Sequence, residues 1–106
     1  MTVDLDLAYA SAGEQARLVA AREVSPRELV TNSLARIEHV QPRLNCFTHL
    51  WADDALAAAD RATEAVVRGD DLGPLHGVPI ALKETTQVSG KPFTLGSLTH
   101  RDVVVD

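Results

Sequence analysis

A single lysine, Lys83, follows directly on an apolar run from Val78 to Leu82. A lysine in that place is either a surface residue at the end of a strand or a base whose amine is kept out of water. Only a neutral amine serves as a general base or Schiff-base nucleophile, and the ordinary lysine pKa of about 10.4 means that burial must favour the neutral form. Residue types and spacing alone leave both interpretations open, and surface lysines at strand ends are the commoner.

The other side chains that could do chemistry form no recognisable site. Cys46 is the only cysteine, which excludes an intrachain disulfide, and with no activating base evident it is interpreted as a small core residue. A lone thiol suits a reducing compartment, and we expect a cytoplasmic protein. The histidines have no metal-ligand spacing, so surface or hydrogen-bonded roles are expected for His39, His49, His76 and His100.

Composition and charge narrow the classes of partner. The chain has 106 residues, is 45% hydrophobic and 24% charged, and carries a net charge of −5, which suits one small domain. Its arginines are spread among acidic residues, so no basic cluster predicts nucleic acid binding. The first residues lack the basic start and apolar core of a signal peptide, and no apolar run approaches the roughly 18 residues of a membrane span. The sequence therefore predicts neither a nucleic acid nor a membrane partner.

Local patterns predict three helices, over about residues 12–22, 26–40 and 52–68. Two of them begin with a capping box, at Ser11 and at Ser25. The second helix should end before Pro42, because the residue preceding a proline avoids the helical conformation. Alternation of apolar and polar residues predicts strands over about residues 44–50 and 78–83.

Two of the predicted helices have a face suited to burial. In the second helix this face comprises Val30, Leu34, Ile37 and Val40; in the third it comprises Ala55, Ala58, Ala59, Ala62, Ala65 and Val66. The chain ends on the apolar run Val103 to Val105, and two strands cannot cover the edges of a sheet. We therefore expect this sequence to be a portion of a larger domain.

The segment around Lys83 resembles the first conserved block of the amidase signature family. The resemblance rests on residues 73–84, together with Val88-Ser89-Gly90 and residues 94–97. Upstream, residues 24–50 resemble the N-terminal helix pair and first strand of that family, so the similarity runs from about residue 7 to the end. Glu84 stands where the family most often has Asp, and Thr85-Thr86-Gln87 replaces a commoner Asn-Ile-Asp type of stretch.

This resemblance implies an α/β fold, a mixed and largely parallel sheet covered by helices. Residues 1–106 would be the N-terminal part of a single amidase-signature domain, with only its first helices and strands present. The implied activity is amidase: serine hydrolysis of carboxamide C–N bonds by a Ser–cis-Ser–Lys triad, in which Lys83 is the base. The implied partner is a small-molecule amide substrate. No cofactor or metal is implied, and the oligomeric state, including a homo-oligomer, stays open.

The nucleophile and the middle serine match nothing in these residues. Ser89 and Ser97 match the loop of the family block rather than its nucleophile, and His76 is expected to pack within its loop. The isolated segment is therefore expected to be inactive. Two alternatives stay open: the A subunit of a glutamine-dependent tRNA amidotransferase, and a non-catalytic helical interaction module in which Lys83 is simply exposed.

Overall fold

The computed structural model describes residues 2–106. Within them, α3 packs along α4, and α1 lies against α3. Turns and irregular segments make up the remainder of this part of the chain. The helices are α1 Leu5–Tyr9, α2 Ala12–Ala20, α3 Pro26–Leu44 and α4 Ala52–Arg68, with one turn of 3-10 helix at Leu98–His100.

Side-chain caps determine where α2 and α3 begin. At α3 the Ser25 hydroxyl accepts from the Glu28 amide at 3.0 Å, and the Glu28 carboxylate accepts from the Ser25 amide at 3.3 Å, which completes the capping box. At α2 the Ser11 hydroxyl accepts from the Glu14 amide, but the Glu14 carboxylate binds Arg17 instead of reaching back. Each cap satisfies an amide that the first helical turn leaves free.

The turn after α2 ties this helix to the end of α4. α2 ends at Ala20, before the predicted residue 22. Arg22 has a φ of 60°, a left-handed conformation that a continuing helix excludes. Its guanidinium donates at 2.9 Å to the Val66 carbonyl in the last turn of α4, which also accepts from the Gly69 amide at 3.1 Å.

α3 continues through Pro42 to Leu44, beyond the predicted end at residue 40. The prediction rested on the local conformational preference of Gln41, the residue before the proline. The Gln41 side chain donates to the Phe47 carbonyl at 2.8 Å and accepts from the Phe47 amide at 3.1 Å. These bonds offset the local preference, and the helix ends at Asn45, whose φ of 46° is tolerated by asparagine.

α4 has the predicted bounds and presents small residues to α3. Ala58 is exposed, so the predicted buried face was wrong for that residue, which lies one position off the observed stripe. Gly69 ends the helix with a φ of 77°, as the Arg-Gly pair predicts. The other residues of the predicted face, Ala55, Ala59, Ala62, Ala65 and Val66, are buried or half buried, as are Leu56 and Thr63.

The core joins α2, α3 and α4. Leu29 is 2% exposed, yet the predicted face of α3 omits it. Two residues of that predicted face, Leu34 and Ile37, are only half buried because they line a groove. The core cluster is Val19, Leu29 and Val66, with Leu7, Val24 and Leu72 packed against it.

Neither predicted strand forms in the described part of the chain. Residues 45–51 and 78–83 have no regular secondary structure, and residue 44 belongs to α3. Pro92 and Val104 form an isolated antiparallel bridge. A strand is held by hydrogen bonds to a neighbouring strand, and within residues 2–106 neither stretch has one. The two strand predictions were therefore wrong for these residues, and the sheet of the α/β fold is not confirmed by them.

The final residues pair with the loop at residues 90–93. The Gly90 amide donates to the Val105 carbonyl at 2.7 Å, and the Phe93 amide donates to the Val103 carbonyl at 2.9 Å. The Val105 amide in turn donates to the Lys91 carbonyl at 3.1 Å. This pairing gives the loop that carries Thr94 a fixed backbone partner. Across residues 2–106, no helix has the length and apolar character needed to cross a membrane.

Candidate functional site

A groove of about 830 Å³ lies between α3 and two irregular segments, residues 46–51 and 79–86. Its walls are mostly apolar. From α3 the groove is lined by Val30, Ser33, Leu34, Arg36 and Ile37; from the irregular segments it is lined by residues 46–51, 79–84 and 86, with Ala8, Ala55 and Pro92 completing it.

Lys83 lines this groove and is exposed. No carboxylate of residues 2–106 pairs with its amine. The last three residues of the preceding apolar run are exposed as well, with Ile80 at 79% and Leu82 at 46%, whereas Val78 and Pro79 are half buried. Among residues 2–106 alone, Lys83 therefore has the surface position that is one of the two interpretations of the sequence.

The neighbouring residue, Glu84, joins three segments of the chain. Its Oε2 accepts from the Thr48 hydroxyl at 2.6 Å, and its Oε1 accepts from the Thr94 hydroxyl. His49 Nε2 lies 3.9 Å from Oε1, which is beyond hydrogen-bond distance. The hydrogen bonds from Thr48 and then Thr94 hold the pKa of Glu84 below its ordinary value of 4.5, although partial burial opposes them. Glu84 is therefore ionised at neutral pH.

The start of the Lys83 segment is anchored to the helices by two consecutive residues. His76 Nε2 lies 2.9 Å from the Ala62 carbonyl in α4, and since a carbonyl oxygen only accepts, Nε2 is the donor. Gly77 has a φ of 80° and packs directly on the ring of Pro26, the first residue of α3. His76 thus bonds to α4 rather than only packing within its loop as expected, and the segment leaves the helices in a defined direction.

A second lysine stands in clear contrast to Lys83. Lys91 pairs with Asp54 in the first turn of α4, and its amine lies 5.1 Å from the centroid of the Trp51 ring. Its side chain is 28% exposed. An ion pair and a cation–π contact hold the Lys91 amine in place, so it is a structural lysine.

Several predicted residues lie elsewhere or play local roles. The Ser97 hydroxyl accepts from the Thr99 amide at 3.3 Å and caps the 3-10 turn, and Ser89 is exposed outside the groove lining. Cys46 lines the groove and is exposed, so its interpretation as a core residue was wrong, because α3 carries the chain past the helical core before Cys46. The described residues contain no cluster of His, Cys, Asp and Glu side chains arranged for a metal ion.

Sequence reasoning missed Glu84, Thr48 and Thr94 as a cluster. Thr48 lies 36 residues from Glu84, and Thr94 lies 10 residues from it. No local pattern relates hydroxyl groups at such separations. The one available signal was the position of Glu84 directly after Lys83.

The comparisons with known proteins agree on one family. The sequence profile of the family described as Amidase matches residues 28–105. The A subunit of the glutamyl-tRNA(Gln) amidotransferase of Acidothermus cellulolyticus is 44% identical over 92 residues, which is 87% of this chain and 18% of the relative. The protein of the same name from Streptomyces coelicolor is 39% identical over 92 residues, again 87% of this chain and 18% of the relative.

A solved structure extends the similarity to the fold. A bacterial aryl acylamidase that belongs to the amidase signature enzymes superposes with a TM-score of 0.86 at 31% identity, over 92% of this chain and 20% of that chain. The chain therefore spans about a fifth of the length of the proteins that it matches.

Proposed function

This chain belongs to the amidase signature family, and from that premise we propose that the protein hydrolyses carboxamide C–N bonds with Lys83 as its base. One observation carries the proposal. Lys83 lies within the segment that the family profile matches, and it lines an apolar groove while no carboxylate of residues 2–106 pairs with its amine. A lysine held in an ion pair, as Lys91 is, could not take up a proton.

The proposed chemistry is acyl transfer to a serine hydroxyl and then to water. The Lys83 amine accepts the proton that the nucleophilic hydroxyl loses, through a second serine, as that oxygen attacks the amide carbonyl. The proton passes to the leaving nitrogen when the C–N bond breaks, so ammonia or an amine departs. Water then hydrolyses the acyl-serine ester. Both serines belong to parts of the domain outside this chain.

The neutral amine that this chemistry needs requires a covered groove. Lys83 is exposed when only residues 2–106 surround it, and removal from water is what stabilises a neutral amine. We propose that the remainder of the amidase domain, including its sheet, packs on Ile80 and Leu82 and completes the groove. A cytoplasmic location belongs to the same proposal, because the exposed thiol of Cys46 suits a reducing compartment.

Two substrate classes fit the proposal. The solved neighbour is an acylamidase, which favours a stand-alone hydrolase of small amides. The curated relatives are amidotransferase subunits, which favours release of ammonia from glutamine within a multi-protein complex. We place the stand-alone amidase first because Thr85-Thr86-Gln87 and the alanine-rich α4 favour it, and keep the amidotransferase role as the second candidate.

The test is a substrate panel on the full-length protein. Ammonia release would be measured with simple carboxamides and with glutamine, and aniline release with an aryl acylamide. Hydrolysis of carboxamides or anilides by the purified protein supports the stand-alone amidase. Glutamine hydrolysis that appears only with partner subunits supports the second candidate. A protein that hydrolyses none of these, with or without partners, leaves the non-catalytic interaction module. The 106-residue chain alone is expected to hydrolyse none of them.

A further inference from the structure

We propose that Glu84 is a positioning residue for Lys83, and this inference rests on the proposed function. Its carboxylate joins the Lys83 segment to two other irregular segments at one point, through Thr48 and Thr94. Because Glu84 follows Lys83 directly along the chain, restraining its side chain restrains the backbone from which the Lys83 amine projects. The two hydrogen bonds of Glu84 therefore determine where the Lys83 amine lies along the groove.

Of the three segments that meet at Glu84, the Lys83 segment has the fewest other restraints, since Gln41 holds Phe47 and the final residues pair with the loop that carries Thr94. Residues 45–51 and 78–83 lack regular secondary structure, so no ladder of backbone hydrogen bonds holds them. The Lys83 carbonyl accepts from the Thr86 amide at 2.9 Å, a bond within its own turn. Gly77 and His76 anchor the segment six and seven residues earlier. Over the residues between, Glu84 supplies the hydrogen bonds from the Lys83 segment to other parts of the chain.

A carboxylate accepts hydrogen bonds from two separate hydroxyl groups better than the other polar side chains do. It offers two oxygens that both accept, and each threonine hydroxyl donates to a different oxygen. Hydrogen bonds from hydroxyls to an ionised carboxylate are short and about twice as strong as those between neutral groups. The low pKa of Glu84 agrees with an ionised acceptor. Aspartate keeps the charge, but it is shorter by one methylene, about 1.5 Å.

The test uses steady-state amide hydrolysis by the full-length protein. We expect Glu84→Ala to lower kcat by about 100-fold, the cost of a base displaced by about 1 Å, with KM changed by less than about twofold. Glu84→Asp should recover only part of the loss, since it keeps a charged acceptor but is too short to reach both threonine hydroxyls without a shift of the backbone. Thr48→Val removes one donor while keeping a similar shape, and should lower kcat by about tenfold. Glu38→Ala, which removes an exposed carboxylate on α3, is the matched control and should leave kcat unchanged.

The outcomes separate a positioning role from a structural one and from failure of the proposed function. A lower melting temperature for Glu84→Ala and Thr48→Val with unchanged kcat per folded molecule would overturn the positioning role alone. An equal fall in kcat for Glu84→Ala and Glu84→Asp, together with a wild-type kcat for Thr48→Val, would also overturn the positioning role. A wild-type protein that hydrolyses no amide would overturn both the positioning role and the proposed function. An unchanged kcat in Glu84→Ala, with hydrolysis lost in Lys83→Ala, would overturn only the role of Glu84.

Discussion

Replacement of Gly77 by alanine tests how the Lys83 segment is attached to the helices. A Cβ at this position would lie 2.6 Å from Pro26 Cγ, 3.0 Å from Pro26 Cβ and 3.4 Å from Val19 Cγ1. Pro26 and Val19 are among the most buried side chains of the described residues. The proline ring is rigid and belongs to the first turn of α3, so it cannot rotate away. The backbone of the Lys83 segment would therefore have to move.

Two terms contribute to the cost of Gly77→Ala. Gly77 has a φ of 80°, and an alanine in left-handed conformation costs about 1–2 kcal/mol. Inserting a methyl group into a packed contact costs about 1–3 kcal/mol more. The sum is a loss of about 2–5 kcal/mol in the free energy of unfolding, a large part of the stability of a small domain.

Gly90→Ala is the matched control for Gly77→Ala. Gly90 has a φ of 74°, but a Cβ there would meet nothing within 4 Å. It should therefore lose only the conformational term, about 1–2 kcal/mol. Thermal and urea unfolding of both variants, followed by circular dichroism, would measure the difference. Equal losses for the two variants would refute the contact between Gly77 and Pro26, and no loss for either would refute the left-handed conformations as well.

Three further expectations concern stability. Leu29→Ala should lower the free energy of unfolding by about 2–5 kcal/mol, because Leu29 is 2% exposed at the centre of the core; a loss below about 1 kcal/mol in urea unfolding would contradict that core. Ser25→Ala should cost about 1 kcal/mol, because the hydroxyl caps α3 through the Glu28 amide; an unchanged urea midpoint would contradict the cap. The low folded-state pKa of Glu84 means that its contribution to stability is fully present above its ordinary value of 4.5 and is lost as the pH falls through the lower folded value. Urea unfolding as a function of pH should show this acid-side loss in the wild type and less of it in Glu84→Gln; identical profiles would contradict the assignment.

Helices α2, α3 and α4 could be predicted from sequence because their signals are local, whereas the short helix α1 was not predicted. Ser25 and its capping box, Gly69 with its left-handed conformation, and the small residues of α4 act within a few residues of where they stand. The end of α3 could not be predicted. A residue that precedes a proline, here Gln41, disfavours the helical conformation, but the hydrogen bonds of the Gln41 side chain to Phe47 offset that preference. The residue types near the end of a helix do not indicate that a side chain will form hydrogen bonds with residues beyond the helix.

The strands and the cluster at Glu84 depend on distant residues. An apolar run becomes a strand only beside a partner, and within residues 2–106 the run before Lys83 has none. Thr48 and Thr94 meet Glu84 across separations of 36 and 10 residues. By contrast, Lys83 could be singled out from the sequence, because the block around it resembles one family and the family profile matches it.

The most direct test of Lys83 as the base is a comparison of three single variants of the full-length protein on an amide that the wild type hydrolyses. We expect Lys83→Ala to lower kcat by about 100- to 10,000-fold, the range for loss of a general base. Lys83→Arg should be equally inactive, because a guanidinium stays protonated and cannot accept a proton. Lys91→Ala, which removes the other lysine amine, should retain the wild-type kcat. A Lys83→Arg protein with near wild-type kcat would show that a positive charge, rather than a base, is needed at this position, and would contradict the account.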